Sequence, residues 1–365
     1  MGLNVSVCSW FTTLTFWGIQ RLTPNEQPKL MTQDPQNVLI LNSTEIKLLL
    51  PMQECIEIMS DALQDLSRGE VIQPLRMVVR PPDAKGVMAM MPAYRRGDES
   101  VFGLKAICFF HGNPAFRKDA HQGCVLLSSG ETGELRAIMN ASTITELRTA
   151  AVSAVATRLL SRSDASNLAI VGAGVQARAH LVALSSVRNI RRARVVSLNP
   201  NRPKQLAEEM RNTLPFPIEP VSSVQEALQD ADMVVTATSA RQPVIKREWI
   251  SAGVHINGIG TYSPQAREID SATMASSRIF VDRRESALNE AGDYLLAAEE
   301  GLIGPENIVA EIGEVLLGQK QGRTSNDEIT LFKSLGLAVE DMACAEYLFR
   351  KAQSENIGTW IKFNL

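Results

Sequence analysis

Between residues 166 and 282, short apolar segments alternate with segments of helical pattern, and this alternation constrains the fold more than any other feature. The apolar segments read NLAIVGAG, ARVVSLN, DMVVTATS, VHINGIG and RIFVD. Strands that alternate with helices form parallel sheets with helices on both faces. The sequence therefore predicts an α/β fold with a doubly wound, Rossmann-type sheet in this part of the chain.

The first of these segments runs into a glycine-rich turn that fits the pattern G-x-G-x-x-A. In such a turn the first glycine permits a tight bend, the second lets a pyrophosphate approach the backbone, and the alanine lets the next helix pack closely. The free N–H groups at the start of that helix attract phosphate. Because strand, turn and helix follow in the required order, we predict a dinucleotide site here rather than an ordinary glycine turn. Its residues are Gly172, Gly174, Val175, Gln176 and Ala177.

The end of the second strand bears on the choice between NAD and NADP. A carboxylate at this position would bind the ribose 2′-hydroxyl of NAD. The chain reads SLNPNRPKQ, with no carboxylate before Glu208. Neutral donors at Asn199 and Asn201 and the cation Arg202 suit a 2′-phosphate, so NADP(H) is favoured and NAD(H) stays possible. The alternative is that Arg202 is only a solvated residue of the next helix.

The chain before residue 143 has a different pattern. A short strand is followed by a helical stretch capped by Ser43 or Thr44 and by a second helix at 51–68. Short apolar runs split by turn residues come next and predict a meander of strands. A longer helix then begins with a capping box formed by Thr143 and Glu146.

Composition argues against several classes of function. The formal net charge is -3 and no Lys/Arg-rich run occurs, so nucleic acid is not an expected partner. The 5 cysteines and 4 histidines form no metal-ligand pattern, and no metal site is predicted. Scattered cysteines fit free thiols in a reducing compartment, so we expect a cytoplasmic protein.

The first thirty residues need a separate interpretation. The apolar stretch 5–20 has no preceding positive charge, unlike a signal peptide, and it is too short for a membrane span. We expect residues 1–30 to be a dispensable extension, with Met31 a candidate start. An ordered accessory segment and a targeting or membrane-contacting segment are the open alternatives; otherwise no membrane association is expected.

Five motifs in succession carry a resemblance to a known family: TITELRTAAVSAVATRLL, AIVGAGVQARAH, SSVQEALQDADMVVTATSA, GVHINGIG and LFKSLGLAVED. Over residues 38–355 the chain resembles the ornithine cyclodeaminase/μ-crystallin family. The resemblance implies a Rossmann-type domain inserted in an α+β domain that binds substrate and forms a homodimer. The long helix near Leu337 belongs to the latter. The expected divisions are residues 1–30 as the extension, 31–145 plus 320–365 as the substrate and dimerisation domain, and 146–319 as the NAD(P)-binding domain.

The resemblance also implies a substrate site. Arg76 and Arg148 match arginines that bind the α-carboxylate of an imino or amino acid through charge-assisted bonds, with Arg80 a rival for Arg76. Lys105, an isolated charge in an apolar strand, matches a lysine that orients the substrate or relays a proton. Met91 is assigned to the same pocket. The further residues expected at the cofactor are Thr149, Thr236, Thr238 and Gly260.

Two departures from the family pattern select a branch. The cyclodeaminase branch has carboxylates where this chain has Ala89 and Tyr262. Ring closure by ornithine needs a carboxylate to accept the amine proton. The expected activity is therefore NADPH-dependent reduction of a cyclic ketimine carboxylate, of the Δ1-pyrroline-2-carboxylate or Δ1-piperideine-2-carboxylate type, to the L-amino acid. An amino-acid dehydrogenase, an opine-type synthase, an ornithine cyclodeaminase and a non-catalytic NADP-dependent binding protein are the alternatives.

Overall fold

The computed structural model describes residues 37–97, 99–110, 112–261 and 263–363. The extension predicted at residues 1–30 and the side chain of Tyr262 lie outside the described residues. Within them, the chain forms sixteen strands and eleven α-helices. The predicted α/β fold class is confirmed, because a parallel sheet flanked by helices accompanies a second, mostly antiparallel sheet.

The strands divide equally between the two sheets. They are β1 (Asn37–Leu41), β2 (Val71–Ile72), β3 (Met77–Val79), β4 (Val87–Arg95), β5 (Val101–Phe109), β6 (His121–Ser129), β7 (Leu135–Asn140), β8 (Asn167–Val171), β9 (Arg192–Val196), β10 (Ile218–Pro220), β11 (Met233–Thr236), β12 (His255–Gly258), β13 (Ser277–Val281), β14 (Ile308–Glu311), β15 (Ile329–Lys333) and β16 (Thr359–Lys362).

The helices vary from short turns to the long α3 and α11. They are α1 (Ser43–Leu49), α2 (Met52–Ser67), α3 (Ala141–Leu160), α4 (Val175–Ser185), α5 (Asn201–Met210), α6 (Val224–Leu228), α7 (Ser271–Ala275), α8 (Arg284–Glu290), α9 (Gly292–Glu299), α10 (Ile312–Leu316) and α11 (Ala338–Glu355). The predictions of a helix at 51–68 and of a long helix beginning near Leu337 are confirmed by α2 and α11.

The first sheet has the order β16-β1-β7-β6-β5-β4-β2, with β3 paired to β4. Strands β4, β5, β6 and β7 run antiparallel to one another in succession, so the predicted meander is confirmed. Helices α2, α3 and α11 pack together against one face of this sheet. Alternate residues of β5 point to that face, and Val101, Gly103, Lys105 and Ile107 are the buried set. Lys105 is thus the one cation on an otherwise apolar or small inward face.

The second sheet is entirely parallel, in the order β10-β9-β8-β11-β12-β15-β13-β14. This confirms the predicted doubly wound sheet. Strand β15 differs from the predicted division, because it lies in the second sheet although residues 320–365 were assigned to the first domain. All five residues of β15 are buried, as expected for a strand covered on both faces.

The predicted helix caps are wrong in two places. Asn42, and not Ser43 or Thr44, caps α1, and its side chain accepts from the backbone N–H groups of Thr44 and Glu45.

Helix α3 begins two residues earlier than its predicted capping box, because Asn140 caps it and accepts from Thr143 N at 2.9 Å. Asparagine at the end of β7 is at least as good a cap as threonine. Glu146 instead forms an ion pair with Lys47 at 3.1 Å.

Two kinds of feature are absent from the described part of the chain. None of its helices has the length and apolar character needed to cross a bilayer. None of its His, Cys, Asp and Glu side chains gather in groups of three that could hold a metal ion.

Candidate active site

The glycine turn after β8 has the geometry of a dinucleotide cradle. Gly172 adopts a φ of 120°, and a Cβ there would lie 2.3 Å from the carbonyl oxygen of Ala237, so only glycine fits. Gly174 precedes α4, no side chain caps this helix, and a Cβ on Gly174 would meet nothing within 4 Å. Ala177 is fully buried while Val175 is half-exposed. The start of α4 thus combines N–H groups that no side chain caps with open space beside Gly174, which suits a pyrophosphate.

The loop after β9 carries no described carboxylate beside its polar groups. Ser197 Oγ donates to Asn199 O at 2.8 Å, and Asn201 N donates to Asn199 Oδ1 at 3.0 Å. Arg202 lies on the exposed face of α5 and pairs with none of the described carboxylates. This edge of the sheet therefore offers neutral donors and one uncommitted cation.

Three residues predicted at the cofactor meet at one buried carboxylate that the sequence analysis missed. Glu268 accepts from Thr236 Oγ1 at 2.8 Å, from Thr238 N at 2.7 Å and from Gly260 N at 2.7 Å. Thr236 is fully buried, and its hydroxyl is bonded to Glu268.

Helix α3 places two predicted residues side by side. Thr149, expected at the cofactor, directly follows Arg148, expected at the substrate, and both are buried. Gln176 reaches the same helix, since its Nε2 lies 3.4 Å from Thr145 O. The cradle and the cationic site therefore share one rigid element.

On the substrate side, Lys105 and Arg148 converge on one carboxylate. Lys105 Nζ lies 2.6 Å from Asp341 Oδ2, and Arg148 Nε lies 3.2 Å from Asp341 Oδ1. Arg148 Nη1 also bonds Glu340 Oε2 at 2.8 Å. All four side chains are almost fully buried. Breaking a buried ion pair is costly because it leaves a charge without a partner away from water, so these contacts are expected to persist in the folded protein.

Burial and neighbouring charges shift the pKa values of these groups. Burial, and after it the Arg148 cation, lower the pKa of Lys105, while Asp341 opposes both, and the resulting pKa is about 8. Burial also acts against the charge of Arg148, but Asp341 and Glu340 outweigh it and raise the pKa of that guanidinium. Burial raises the pKa of Glu340 to about 7 despite Arg148. Lys105 is the cation of this site that titrates within reach of neutral pH.

Arg76 lines a small cavity. Its Nε bonds Glu290 Oε2 at 2.9 Å, and its Nη2 donates to the carbonyls of Leu335 at 2.8 Å and Gly336 at 3.1 Å. Burial raises the pKa of Glu290, although Arg76 opposes the shift. The rival Arg80 is exposed on the surface. The cavity is lined by Gln73, Pro74, Arg76, Met91, Ser286, Glu290, Gly336, Leu337 and Ala338.

The cavity and the buried ion pairs adjoin at Gly336. A Cβ at Gly336, whose φ is 76°, would lie 2.3 Å from Arg148 Nη1, while its carbonyl accepts from Arg76. Met91 in the cavity wall stands opposite Lys105 in the β4–β5 register. The structure thus brings the four predicted substrate residues into one region. A hollow of about 460 Å³ near Phe216, beside β10, contains none of them.

The sequence analysis missed the acidic partners of these cations. Glu340 and Asp341 stand in the quoted motif LFKSLGLAVED, where two successive acids open a helix, and this was a usable signal. Glu290 gave no signal because it is distant in sequence from Arg76. Glu268 gave none because it stands in no motif, although it lies only 8 residues after Gly260.

The fold and the site define an α/β dinucleotide-binding protein with a buried cationic pocket beside the cradle. A sequence model described as "Ornithine cyclodeaminase/mu-crystallin family" matches residues 36–356. The chain belongs to this family, as its motifs predicted.

Named relatives cover nearly the whole of the described chain. A "Delta(1)-pyrroline-2-carboxylate reductase" of Bacillus cereus is 35% identical over 327 residues, covering 89% of this chain and 100% of the relative. "Ketimine reductase mu-crystallin" of Mus musculus is 38% identical over 291 residues, covering 79% of this chain and 88% of the relative. The solved Δ1-pyrroline-2-carboxylate reductase of Thermococcus litoralis, in complex with NADH and L-proline, superposes with a TM-score of 0.86 at 39% identity, covering 88% and 99% of the two chains. The predicted class, an NAD(P)-dependent oxidoreductase acting on C=N bonds, is confirmed by these relatives.

Proposed function

We propose that this protein reduces a cyclic ketimine carboxylate, of the Δ1-pyrroline-2-carboxylate or Δ1-piperideine-2-carboxylate type, to the L-amino acid, and that it prefers NADPH. The observation that carries the proposal is the junction at Gly336, which joins the Arg76 cavity to the buried Lys105–Arg148 pair. A carboxylate and an imine nitrogen are the two polar groups such a substrate offers, and this region holds cations for the first and a proton donor for the second.

Arg76 is proposed as the residue that receives the substrate carboxylate. Its Nε is bonded to Glu290 and its Nη2 to two carbonyls, while no described group bonds its Nη1. The half-buried Glu290 neutralises Arg76 in the free protein, which keeps an unpaired cation out of the cavity. Substrate binding therefore exchanges one carboxylate partner of Arg76 for another, or adds a second.

Lys105 is proposed as the catalytic residue that protonates the nitrogen. With a pKa of about 8, set first by burial, it carries a proton at neutral pH yet gives it up more readily than an exposed lysine. Arg148 stays charged and fixes the same Asp341 carboxylate from the other side. When bound, a nicotinamide cofactor supplies the hydride that adds to the imine carbon. The residues proposed to hold it are those of the Gly172–Ala177 turn, together with Thr149, Thr236, Thr238 and Gly260.

The preference for NADPH rests on the loop after β9. Asn199, Asn201 and the uncommitted Arg202 stand where NAD-specific sites carry a carboxylate. A 2′-phosphate gains a charge-assisted bond from a free guanidinium, whereas a 2′-hydroxyl does not.

A homodimer is proposed through the first sheet. One face of this sheet is covered by α2, α3 and α11, while apolar side chains on its other side stay exposed or half-buried. An apolar patch on a soluble chain marks an interaction surface, and a symmetric pair of copies buries it most simply. The most exposed of these side chains are Ile72, Met77, Val79, Met88 and Phe102.

A cytoplasmic location is proposed because Cys55, Cys108, Cys124 and Cys344 are all free thiols.

The proposal is tested by NADPH oxidation with a panel of cyclic ketimine carboxylates, beside pyruvate plus amines. We expect turnover of the cyclic imines and a preference for NADPH over NADH. Arg76→Ala should raise KM by about one to two decades, because one charge-assisted bond to the substrate is lost. A parent protein that binds NADPH and oxidises it with none of the imines would instead support the binding-protein alternative.

A further inference from the structure

A buried cluster of three ionisable residues lies beneath the loops after β11 and β12 and takes no part in the mechanism proposed above. Glu268, Asp293 and Lys333 are each fully buried. Lys333 ends β15, Glu268 lies in the connection before α7, and Asp293 lies in the first turn of α9. Burying three ionisable groups is costly unless every one is bonded, so the bonds of this cluster indicate its purpose.

Lys333 and Asp293 bind the loop after β12. Lys333 Nζ donates to Gly258 O at 3.1 Å and to Thr261 O at 2.8 Å, and it pairs with Asp293 Oδ2 at 3.1 Å. Thr261 Oγ1 donates to the same Asp293 oxygen at 2.5 Å. The two ends of the turn from Gly258 to Thr261 are thus held by one ion pair.

Asp293 also holds Glu268 in place. Its other oxygen, Oδ1, accepts from Glu268 N at 2.7 Å and from Ile269 N at 3.0 Å. The Glu268 carboxylate then bonds Thr238 N and Gly260 N, which belong to the loops after β11 and β12. A Cβ at Gly260 would lie 2.3 Å from Thr238 O and 2.5 Å from Glu268 Oε1, so the two loops and the carboxylate are in close contact.

The two loops lie where one half of a dinucleotide is expected. Ligands of doubly wound sheets bind outside the carboxyl ends of the strands, at the switch point of the strand order. The Gly172 turn follows β8, and β11 and β12 are the next strands on the side away from β9. If the adenosine half lies over the β9 loop, the nicotinamide half lies over the loops that Glu268 joins.

We propose that Glu268, Asp293 and Lys333 are positioning residues that fix the β11 and β12 loops in the shape that receives the nicotinamide half of the cofactor. They touch neither substrate nor cofactor and act through Thr238, Gly260 and Thr261. The proposal rests on the proposed function only in that a nicotinamide cofactor binds at this edge of the sheet.

The test compares two carboxylate-to-amide variants of the same sheet. Glu268→Gln keeps the shape of the side chain but leaves one loop N–H opposite an amide NH₂ group. Asp232→Asn is the matched control: Asp232 accepts from Ser166 N and Asn167 N, both at 2.9 Å, at the amino ends of the strands. The readouts are NADPH binding, followed by fluorescence titration, and thermal unfolding without cofactor.

We expect Glu268→Gln to weaken NADPH binding by at least about tenfold, the loss of one bond to a charged acceptor, and Asp232→Asn to change it by less than about twofold. Both variants should lower the unfolding temperature. A difference in NADPH binding between them therefore reports the positioning of the loops and not a general loss of stability. Equal weakening of NADPH binding in both variants, or none in Glu268→Gln, would overturn the proposal.

A second measurement uses the unaltered protein, in case Glu268→Gln does not fold. In hydrogen–deuterium exchange, peptides containing Thr238 and Gly260 should exchange slowly before NADPH is added, because Glu268 already holds their amides. Fast exchange that slows only with NADPH would contradict a preformed site. If the parent protein binds NADPH but reduces no imine, the proposed function fails while this comparison still decides the role of Glu268.

Discussion

Lys105 Nζ and Asp341 Oδ2 lie 2.6 Å apart, and both side chains are almost fully buried. The contact joins the central strand β5 to α11, and Arg148 on α3 reaches the other oxygen of the same carboxylate. One acidic residue therefore sets the position of both cations and opposes the loss of the Lys105 proton. The behaviour of the site with pH follows from this arrangement.

The first prediction concerns the pH dependence of imine reduction. Since burial and Arg148 lower the pKa of Lys105 to about 8, kcat/KM should fall as the pH rises through about 8 and the lysine loses its proton. The same pKa shift also determines how the contribution of Lys105 to the unfolding free energy changes with pH. The folded-state pKa lies below the value of 10.5 for a free lysine, so this group's contribution to stability rises with pH between the two values.

Lys105→Met provides the control. It keeps the aliphatic stem and removes the amine, so kcat should drop and the residual rate should show no fall near pH 8. If kcat/KM of Lys105→Met fell with the same midpoint near pH 8, the proton given to the imine nitrogen would come from another group. Urea unfolding of both proteins between pH 8 and 10.5 should show the difference in unfolding free energy growing in favour of the parent.

The second prediction separates Asp341 from an ion pair elsewhere on the same helix. Asp341→Asn leaves two buried cations short of a partner and should cost about 3–5 kcal/mol of unfolding free energy. It should also move the fall in kcat/KM to lower pH, because Asp341 raises the pKa of Lys105.

Glu346→Gln is the matched variant on α11. It breaks the ion pair with the partly exposed Arg95, whose Nη2 lies 2.6 Å from Glu346 Oε2. Neither residue of this pair lines the cavity. We expect Glu346→Gln to lower the unfolding free energy by about 1 kcal/mol and to leave the pH profile of kcat/KM unchanged. A pH profile altered equally by both substitutions would show that α11 as a whole, and not Asp341, controls Lys105.

Much of the fold could be predicted because the periodicity of apolar residues and the turn residues within short segments indicate most of its strands and helices. Alternating and continuous apolar runs predict β4 to β9. The glycine turn at Gly172 predicts β8, the bend after it and α4 together. Strand β15 was missed because its residues are all buried and give no alternation, and because the short apolar run ends at the charged Lys333.

The site could be predicted only in part. Arg76, Lys105 and Arg148 were recognisable as cations in motifs, since each stands out from its apolar surroundings. Their partners Glu290 and Asp341 lie 214 and 193 or more residues away in sequence, and such pairings depend on tertiary packing. The cap at Asn140 was missed for a related reason, because it ends a strand and begins a helix at the same residue.

The third prediction concerns the cofactor. The parent protein should favour NADPH over NADH by tenfold or more, about 1.4 kcal/mol in binding. Arg202→Ala should erode this preference and leave activity with NADH near its original level, because the cation has no described partner within the protein. Lys204→Ala, the next exposed cation on α5, is the control and should change little. Equal turnover of NADH and NADPH by the parent protein would contradict the assignment.

The fourth prediction concerns the dimer. Phe102 is 49% exposed on β5 and lies with its ring centroid 4.7 Å from that of Tyr94. Phe102→Glu would place a charge in the proposed apolar interface, so sedimentation should show monomers where the parent protein gives dimers. Leu48→Glu, at a 66% exposed position on α1, should leave the dimer intact. A parent protein that is monomeric at micromolar concentration would exclude the proposed interface.

The last prediction concerns the branch of chemistry. Cyclisation of ornithine needs a carboxylate free to accept the proton of the δ-ammonium group. Ala89 on β4 supplies only a methyl group, in register with Val78 and Ile107. The described carboxylates nearest the cavity are already committed, because Arg76 binds Glu290 and Arg148 binds Asp341. Ornithine with NAD should therefore release neither ammonia nor proline, while the same preparation reduces Δ1-pyrroline-2-carboxylate. Sustained ammonia release from ornithine, measured beside that positive control, would overturn the assignment to the reductase branch.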